Sequence, residues 1–246
     1  MLTVSDAFAG NRILAGLPTR ERQFVEQFVD STQVHLGEVI DRAGEAVRYL
    51  YFPIDAAISM MDLKDPTHTL DVALIGAEGC SGASIAQGSD VSPSLNIVEI
   101  GGWTVRMPAP SVAKHLGTLP YLSAILSRYN LLLMRHVVIS VGCSQFHPAD
   151  QRVARWLLAH SHRTGLMVFP FTTDFLAAQV GVDKDTIRSI LEHMQERGIL
   201  AKTSKSVSIT DRQALARQSC GCFELTTEAT NGYLEALVRL SRAYAN

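Results

Sequence analysis

Between residues 32 and 107, apolar and polar positions alternate over short stretches separated by glycine or proline. Trp103 and Val105, for example, alternate directly after Gly102. A period of two predicts strands with one buried face, and regular turn residues between several such strands favour an all-β barrel or sandwich. Ahead of this region we expect a lead-in without regular structure over the first fifteen residues, and a short helix over residues 18–31.

From Tyr121 the period changes, and apolar side chains recur every three or four residues as far as Val141. The pattern predicts a helix over about residues 121–141 whose wide apolar arc is buried against the barrel, a second helix or both. A break over residues 142–148 predicts a domain boundary after residue 147. The predicted buried arc consists of Leu122, Ile125, Leu126, Tyr129, Leu132, Leu133, His136 and Val137.

The segment from Phe171 to Gly198 has the pattern of a helix-turn-helix. A short helix ends at Gly181, where a tight turn excludes a Cβ atom, and Asp183 then caps a second, longer helix. Residues 199–209 can pair as a hairpin, which would form a wing beside the second helix. The inward face of the second helix consists of Ile187, Ile190, Leu191 and Met194.

The outward face of the second helix is mixed in charge. Its periodicity exposes Asp185, Ser189, Glu192 and Glu196, with Lys184 and Arg188 beside them. Basic and polar side chains at the start of such a helix can contact base edges and phosphates in the major groove of DNA. Lys202 and Lys205 of the wing could reach the phosphate backbone. Two amphipathic helices joined by a glycine also occur in proteins that never bind DNA, and the acidic residues favour that alternative.

Composition narrows the class of protein. The chain has 246 residues, of which 47% are hydrophobic and 19% charged, a balance that excludes a disordered protein. Its net charge of −2 is unevenly distributed, since residues 148–217 carry ten basic and seven acidic side chains. Four cysteines are too few for a disulfide scaffold. We expect neither a signal segment nor a membrane-spanning helix, and therefore a soluble cytoplasmic protein.

The order of these elements resembles the Crp/Fnr family of bacterial transcription regulators. The similarity is carried by the helix DQRVARWLL from Asp150 and by the segment FPFTTDFLAAQVGVDKDTIRSILEHMQERGIL from Phe169. The resemblance implies an α+β fold: an antiparallel, jelly-roll β-barrel like that of cyclic-nucleotide-binding domains, a long dimerisation helix and a winged helix-turn-helix. It places the effector domain in residues 1–147, the DNA-binding domain in 148–215 and a helical tail in 216–246.

The resemblance also assigns DNA-contacting positions. Thr172 and Thr186 resemble phosphate contacts and Asp183 a polar cap, whereas Lys184, Asp185 and Ser189 fall on base-reading positions. Family members often have arginine at the position of Ser189, but here the arginine comes one residue earlier. The expected DNA-binding residues are Thr172, Thr173, Asp183, Lys184, Asp185, Thr186, Arg188, Ser189, Lys202 and Lys205.

The family's cyclic-nucleotide sensors hold ribose and phosphate with a Gly-Glu pair and an arginine. Here Ala83 follows Gly82 where the glutamate would stand, and residues 65–105 contain no lysine or arginine. Without a charge-assisted pair for the phosphate, we expect no cyclic AMP binding in the usual mode. Gly76, Gly79, Gly82 and Ser84 are candidates for a pocket that holds another effector, although the pattern favours plain strand-connecting turns for the glycines.

Neither a cofactor nor a metal site is predicted. No cysteine precedes Cys80, so the iron–sulfur cluster of some family members is not expected. Cys220 and Cys222 form a C-x-C pair without a second pair nearby, a weak signal for a metal or redox role, and the histidines show no ligand spacing. No nucleophile and base are arranged in a known catalytic pattern, so the chain is not expected to be an enzyme.

We therefore expect a homodimeric regulator that binds double-stranded DNA at an inverted repeat. The dimer would form through the helix at about residues 121–141, and RNA polymerase is the expected further partner. The competing hypothesis is a small-molecule- or partner-binding module whose winged helix docks protein. Salt dependence separates the two, because binding through several phosphates weakens steeply as salt rises.

Overall fold

A computed structural model describes residues 4–65 and 68–244 of the chain. The chain divides into two compact units. The first comprises the residues up to Met61, Ala73–Arg135 and the residues from Ala229 onward. The second comprises Asp62–Val72 and His136–Glu228.

Three short helices open the first unit: α1 (Val4–Gly10), α2 (Arg12–Ala15) and α3 (Thr19–Val25). The expectation of an irregular lead-in is wrong, since Phe8, Ile13 and Leu14 are fully buried in the core. The sequence did not reveal these helices because α1 and α2 have only seven and four residues, too few to show a helical period of apolar positions. The helix expected over residues 18–31 is also shorter than predicted, because a strand begins at Asp30.

In the described part of the chain, seven strands form two sheets in the region where alternation predicts them. They are β1 (Asp30–Val34), β2 (Val39–Asp41), β3 (Tyr49–Pro53), β4 (Ala57–Asp65), β5 (His68–Ile75), β6 (Leu95–Ile100) and β7 (Gly102–Pro108). One sheet has the order β1-β7-β3 and the other the order β2-β6-β4-β5. Among the described residues the strands therefore form two separate sheets of the jelly-roll type and not one closed barrel.

Two helices follow the sheets: α4 (Ala109–His115) and the long α5 (Pro120–Phe146). The first part of α5 lies in the core of the first unit, where Tyr121, Ile125 and Tyr129 are fully buried. The helix continues past Val141, since Gly142 remains helical. Among the described residues, α5 is the helix whose length and apolar composition would allow it to cross a membrane. Buried core helices of soluble proteins have the same length and composition, and the first turns of α5 lie in the core of the first unit.

The C-terminal helix α10 (Cys222–Tyr244) completes the first unit with its later turns. Tyr233 and Leu237 belong to the same hydrophobic core as α5, and the Tyr233 ring lies 5.5 Å from the ring of Tyr129. Ser241 donates a hydrogen bond to the carbonyl of Gly16. This part of the tail is therefore structural, because it covers the core of the N-terminal unit.

The second unit contains the end of α5, four further helices and a small sheet before the start of α10. These elements are α6 (Ala149–Thr164), β8 (Val168–Phe169), α7 (Thr173–Val180), α8 (Lys184–Glu196), β9 (Leu200–Lys202), β10 (Val207–Ile209) and α9 (Arg212–Gln218). The strands form an antiparallel sheet of order β8-β10-β9. Helices followed by a hairpin in this order form a winged helix-turn-helix, as the sequence predicts.

Candidate nucleic-acid interface

The ends of α7 and α8 are fixed by residues of the helix-turn-helix segment itself. Thr172 caps α7 by accepting a hydrogen bond from the amide of Phe175, and Asp183 caps α8 by accepting from the amide of Thr186. Gly181 ends α7 with φ of 69°, in the left-handed region that favours glycine. Gly198 adopts the same conformation after α8, so the caps and glycines read from the sequence set both helix ends.

Aromatic packing holds the helix pair on α6. The Trp156 ring of α6 lies 5.1 Å from Phe171 and 6.5 Å from Phe175, with both rings edge-on. The inward face of α8 is formed by Ile187, Leu191 and Met194, each at most 1% exposed. Ile190, which we expected on this face, is only partly buried. Because one side of α8 is fully packed, its opposite side is held rigidly toward solvent.

The exposed side of α8 presents two basic residues, and each is paired with an acidic neighbour. Lys184 Nζ lies 2.7 Å from a carboxylate oxygen of Asp174. Arg188 Nη1 donates to Asp185 Oδ1 at 2.7 Å, one turn earlier on the same helix. Such exposed pairs contribute less than about 1 kcal/mol, so a phosphate or a base edge can replace the carboxylate at little cost. Ser189 is exposed beside them.

The hydroxyl groups of Thr172 and Thr186 differ in whether their proton is available to a further acceptor. Thr172 Oγ1 accepts from a backbone amide, which leaves its own proton free to bind a phosphate oxygen. Thr186 Oγ1 donates its proton to Asp183 at 2.5 Å. The hydrogen bond from Thr186 also lowers the pKa of the Asp183 carboxyl, which keeps the cap ionised. Thr172 and the adjacent Thr173 at the start of α7 are thus better placed to donate than Thr186.

The two lysines of the wing, Lys202 and Lys205, differ in their exposure and in their partners. Lys205 is exposed in the turn between β9 and β10. Lys202 ends β9 and is half-buried, with Nζ 3.9 Å from Glu192 of α8. Sequence reasoning missed Thr203 and Ser206, whose hydroxyl groups are 2.8 Å apart and close the turn. Asx- and ST-type turns of this kind leave no hydrophobic signal, so only a turn-specific reading would find them.

The effector candidates lie in the loop between β5 and β6, in the first unit. The amides of Gly76 and Gly79 are used in a tight turn with Glu78. Gly82 has φ of 72° and begins a short 3₁₀ helix that contains Ser84, whose hydroxyl oxygen is buried without a hydrogen-bond partner in the described structure.

Helix α5 holds this loop directly. The backbone at Gly79 approaches Tyr129 so closely that a Cβ atom there would fall within the tyrosine ring. Asn130 of α5 donates a hydrogen bond of 2.8 Å to the carbonyl of Ala83. A shift of the loop therefore acts on two consecutive residues of the long helix.

The arc of α5 that the sequence predicts as buried is buried, and a different row of apolar side chains on the helix remains exposed. Leu122, Ile125, Leu126 and Tyr129 are buried in the first unit's own core. We call the exposed row Leu131, Met134, Val138 and Val141 the α5 stripe; its members are between 49% and 66% exposed. Their 3-4-3 spacing is the a/d pattern with which two helices pair along a seam.

Comparison with known proteins identifies the domain that contains α6 to α9 and the fold of the chain. Residues 151–218 match the family model of the Crp-like helix-turn-helix domain. A Crp/Fnr-family regulator from Eubacterium rectale has 14% identity and a TM-score of 0.68, over 85% of this chain and 98% of that one. FixK2 from Bradyrhizobium japonicum has 16% identity and a TM-score of 0.65, over 78% and 98%.

A CRP-family regulator from Thermus thermophilus, with 16% identity and a TM-score of 0.60, is similar over 76% of this chain and 96% of its own. At such identities these structures establish the fold. No curated protein matches the sequence.

Proposed function

Because residues 151–218 form a Crp-like helix-turn-helix domain on the Crp/Fnr-type fold, we propose that this protein is a homodimeric transcription regulator that binds an inverted-repeat DNA operator. The observation that carries the proposal is the rigid, solvent-facing side of α8. Its buried side is packed on α6, and its exposed side offers Lys184, Arg188 and Ser189 to a duplex.

The proposed contacts divide into positioning and reading. Thr172 and Thr173 at the start of α7 bind phosphate, where the helix dipole also favours negative charge. Lys184 and Arg188 exchange their carboxylate partners for DNA, and Ser189 and Asp185 contact base edges. Lys205 at the wing tip and Lys202 add phosphate contacts, for which Lys202 must leave Glu192.

The α5 stripe supports the proposed homodimer. Four exposed apolar side chains in a row are costly in water, and a second copy of the same helix buries them symmetrically. A two-fold pair presents two α8 helices to half-sites roughly one helical turn, about 34 Å, apart. The protein would act in the cytoplasm at promoters, where RNA polymerase is its expected further partner.

The loop over residues 76–88 supports a sensing role for the first unit. It contains neither lysine nor arginine, so a signal other than cyclic AMP in its usual mode is proposed. Its contacts with Tyr129 and Asn130 lead into α5 immediately before Leu131. A ligand that moves the loop could thereby bias how the α5 stripes pair.

Selection of bound duplexes from a random DNA pool tests the proposal. We expect an inverted-repeat consensus, and affinity for it should fall steeply as salt rises. Arg188→Ala should weaken operator binding by about fivefold or more, since a good arginine contact contributes about 1–3 kcal/mol. Arg217→Ala, which removes an exposed arginine on α9, is the matched control and should change affinity little.

An alternative is that the winged helix docks a protein. The exposed Glu192 and Glu196 on α8 favour it. Recovery of no consensus, together with an unchanged affinity in Arg188→Ala, would support that alternative over DNA recognition.

A further inference from the structure

Four metal-ligating side chains meet in the second unit, outside the DNA-facing surface. Cys143 lies near the end of α5 and His147 just after it, whereas Cys220 precedes α10 and Cys222 is its first residue. All four ligand atoms lie within 4.8 Å of one another. Cys143 Sγ is 3.5 Å from Cys220 Sγ, and Cys222 Sγ is 3.6 Å from His147 Nδ1.

These separations are those of ligands around one ion. Zinc binds sulfur at about 2.3 Å and nitrogen at about 2.0–2.1 Å, which puts neighbouring ligand atoms of a tetrahedron roughly 3.4–3.8 Å apart. The three thiols are free and at most 7% exposed, and His147 is half-buried. Three sulfurs and one imidazole in a closed, buried set suit a structural site without an open coordination position.

We propose that Cys143, His147, Cys220 and Cys222 bind one Zn²⁺ ion that joins the end of α5 to the start of α10. Three sulfurs and one nitrogen disfavour magnesium and calcium, which prefer oxygen ligands. An iron–sulfur cluster spreads its ligands around several irons, farther apart than these four atoms lie.

The surroundings of the cluster support a bound cation. Zn²⁺ with three thiolates and a neutral imidazole has a net charge of −1, and Arg155, which lines the same small cleft as Cys143, places a positive guanidinium near it. Arg155 Nε is buried and has no hydrogen-bond partner in the described part of the chain, so it can donate to a metal-bound sulfur.

The ion would determine how the DNA-binding domain is attached. Cys143 and Cys220 are 77 residues apart in sequence and bracket the whole winged helix-turn-helix. Closing such a long loop restricts the unfolded chain strongly, so the metal stabilises the second unit. Loss of zinc, or oxidation of its ligands, would release the end of α5 from α9 and α10.

The test uses the full chain, purified with a phosphine reductant and without a histidine tag. Elemental analysis should give one zinc per chain, and a chelator should lower the melting temperature. Replacement of zinc by Co²⁺ should give thiolate-to-cobalt charge-transfer bands and the intense visible bands of tetrahedral cobalt. Cys222→Ser should lose the metal, whereas the control Cys80→Ala, which removes the cysteine outside the cluster, should keep it.

A second variant tests the site even if Cys222→Ser fails to fold. His147→Ala removes a half-buried ligand and should lower zinc affinity by at least about tenfold, the cost typical even of changing a residue that only supports a ligand. Three results would each overturn the proposal. They are a reduced protein that binds neither zinc nor cobalt, a Cys143–Cys220 disulfide in the metal-free native protein, and the visible spectrum of an iron–sulfur cluster.

Discussion

Glu21 shows how one side chain can position the long helix. It is 6% exposed, and its two carboxylate oxygens accept hydrogen bonds from the amides of Tyr121 and Leu122 at 2.8 and 2.9 Å. Those amides open α5 and have no partner within the helix, and the negative charge also complements the helix dipole.

We expect Glu21→Gln to lower the free energy of unfolding by about 1–3 kcal/mol, because one amide is left facing a donor. Urea denaturation of the full chain measures the loss. Glu26→Gln is the matched control: Glu26 pairs with Arg22 at the surface, and its loss should cost under about 0.5 kcal/mol. Equal effects in the two variants would show that Glu21 does not cap α5.

Residues that act locally were predictable from the sequence, and residues that act across the chain were not. Asp183 and Gly181 are read correctly because a cap and a left-handed turn depend on neighbours within four residues. Glu21 reaches its amides 100 residues away, and Cys222 meets His147 over 75 residues. Neither contact leaves a spacing pattern, which is why no metal ligand was expected.

Among the elements, the loop after β5 depends on its close approach to α5. Gly79→Ala would place a methyl group within the Tyr129 ring, so the loop or the ring must move. We expect a loss of about 1–3 kcal/mol in the free energy of unfolding, measured by urea denaturation. Gly117→Ala adds the same methyl group where nothing lies within 4 Å, and it should change stability by less than about 0.5 kcal/mol. Wild-type stability of Gly79→Ala would contradict the described packing.

Element prediction succeeded where a pattern extends over enough residues. Helix α8 shows its period over thirteen residues, and the strands alternate between clear turns. Helices α1 and α2 are four to seven residues long and obtain their stability from burial of Phe8 and Leu14, which no local period reveals.

For the whole molecule, the proposed homodimer depends on the α5 stripe. We expect the double variant Leu131→Asp/Val138→Asp to be monomeric in sedimentation velocity experiments and to lose operator affinity, since a charged seam cannot pair. Both side chains are more than 60% exposed, so circular dichroism should show an unchanged fold. Leu225→Asp, which charges an exposed leucine of α10, should leave the association unaltered. A wild type that is already monomeric at micromolar concentration would contradict the proposed dimer.

The sequence predicted the buried arc of α5 correctly, but it did not single out the α5 stripe that remains exposed. Burial within the chain and burial against a second copy require the same apolar side chains, so periodicity cannot distinguish them. Both Tyr129 and Leu131 are apolar positions of α5, but other parts of the same chain cover Tyr129 and leave Leu131 exposed.

Helix α10 has a consequence for how the protein is made. Tyr233 and Leu237 lie in the core of the N-terminal unit, yet the ribosome delivers them after the entire winged domain. Domains generally fold as units during translation. Here the core of the first unit is incomplete until α10 is synthesised, because Tyr233 packs beside Tyr129. A nascent chain that stalls before residue 233 would therefore remain unfinished at its beginning and be open to chaperones and proteases.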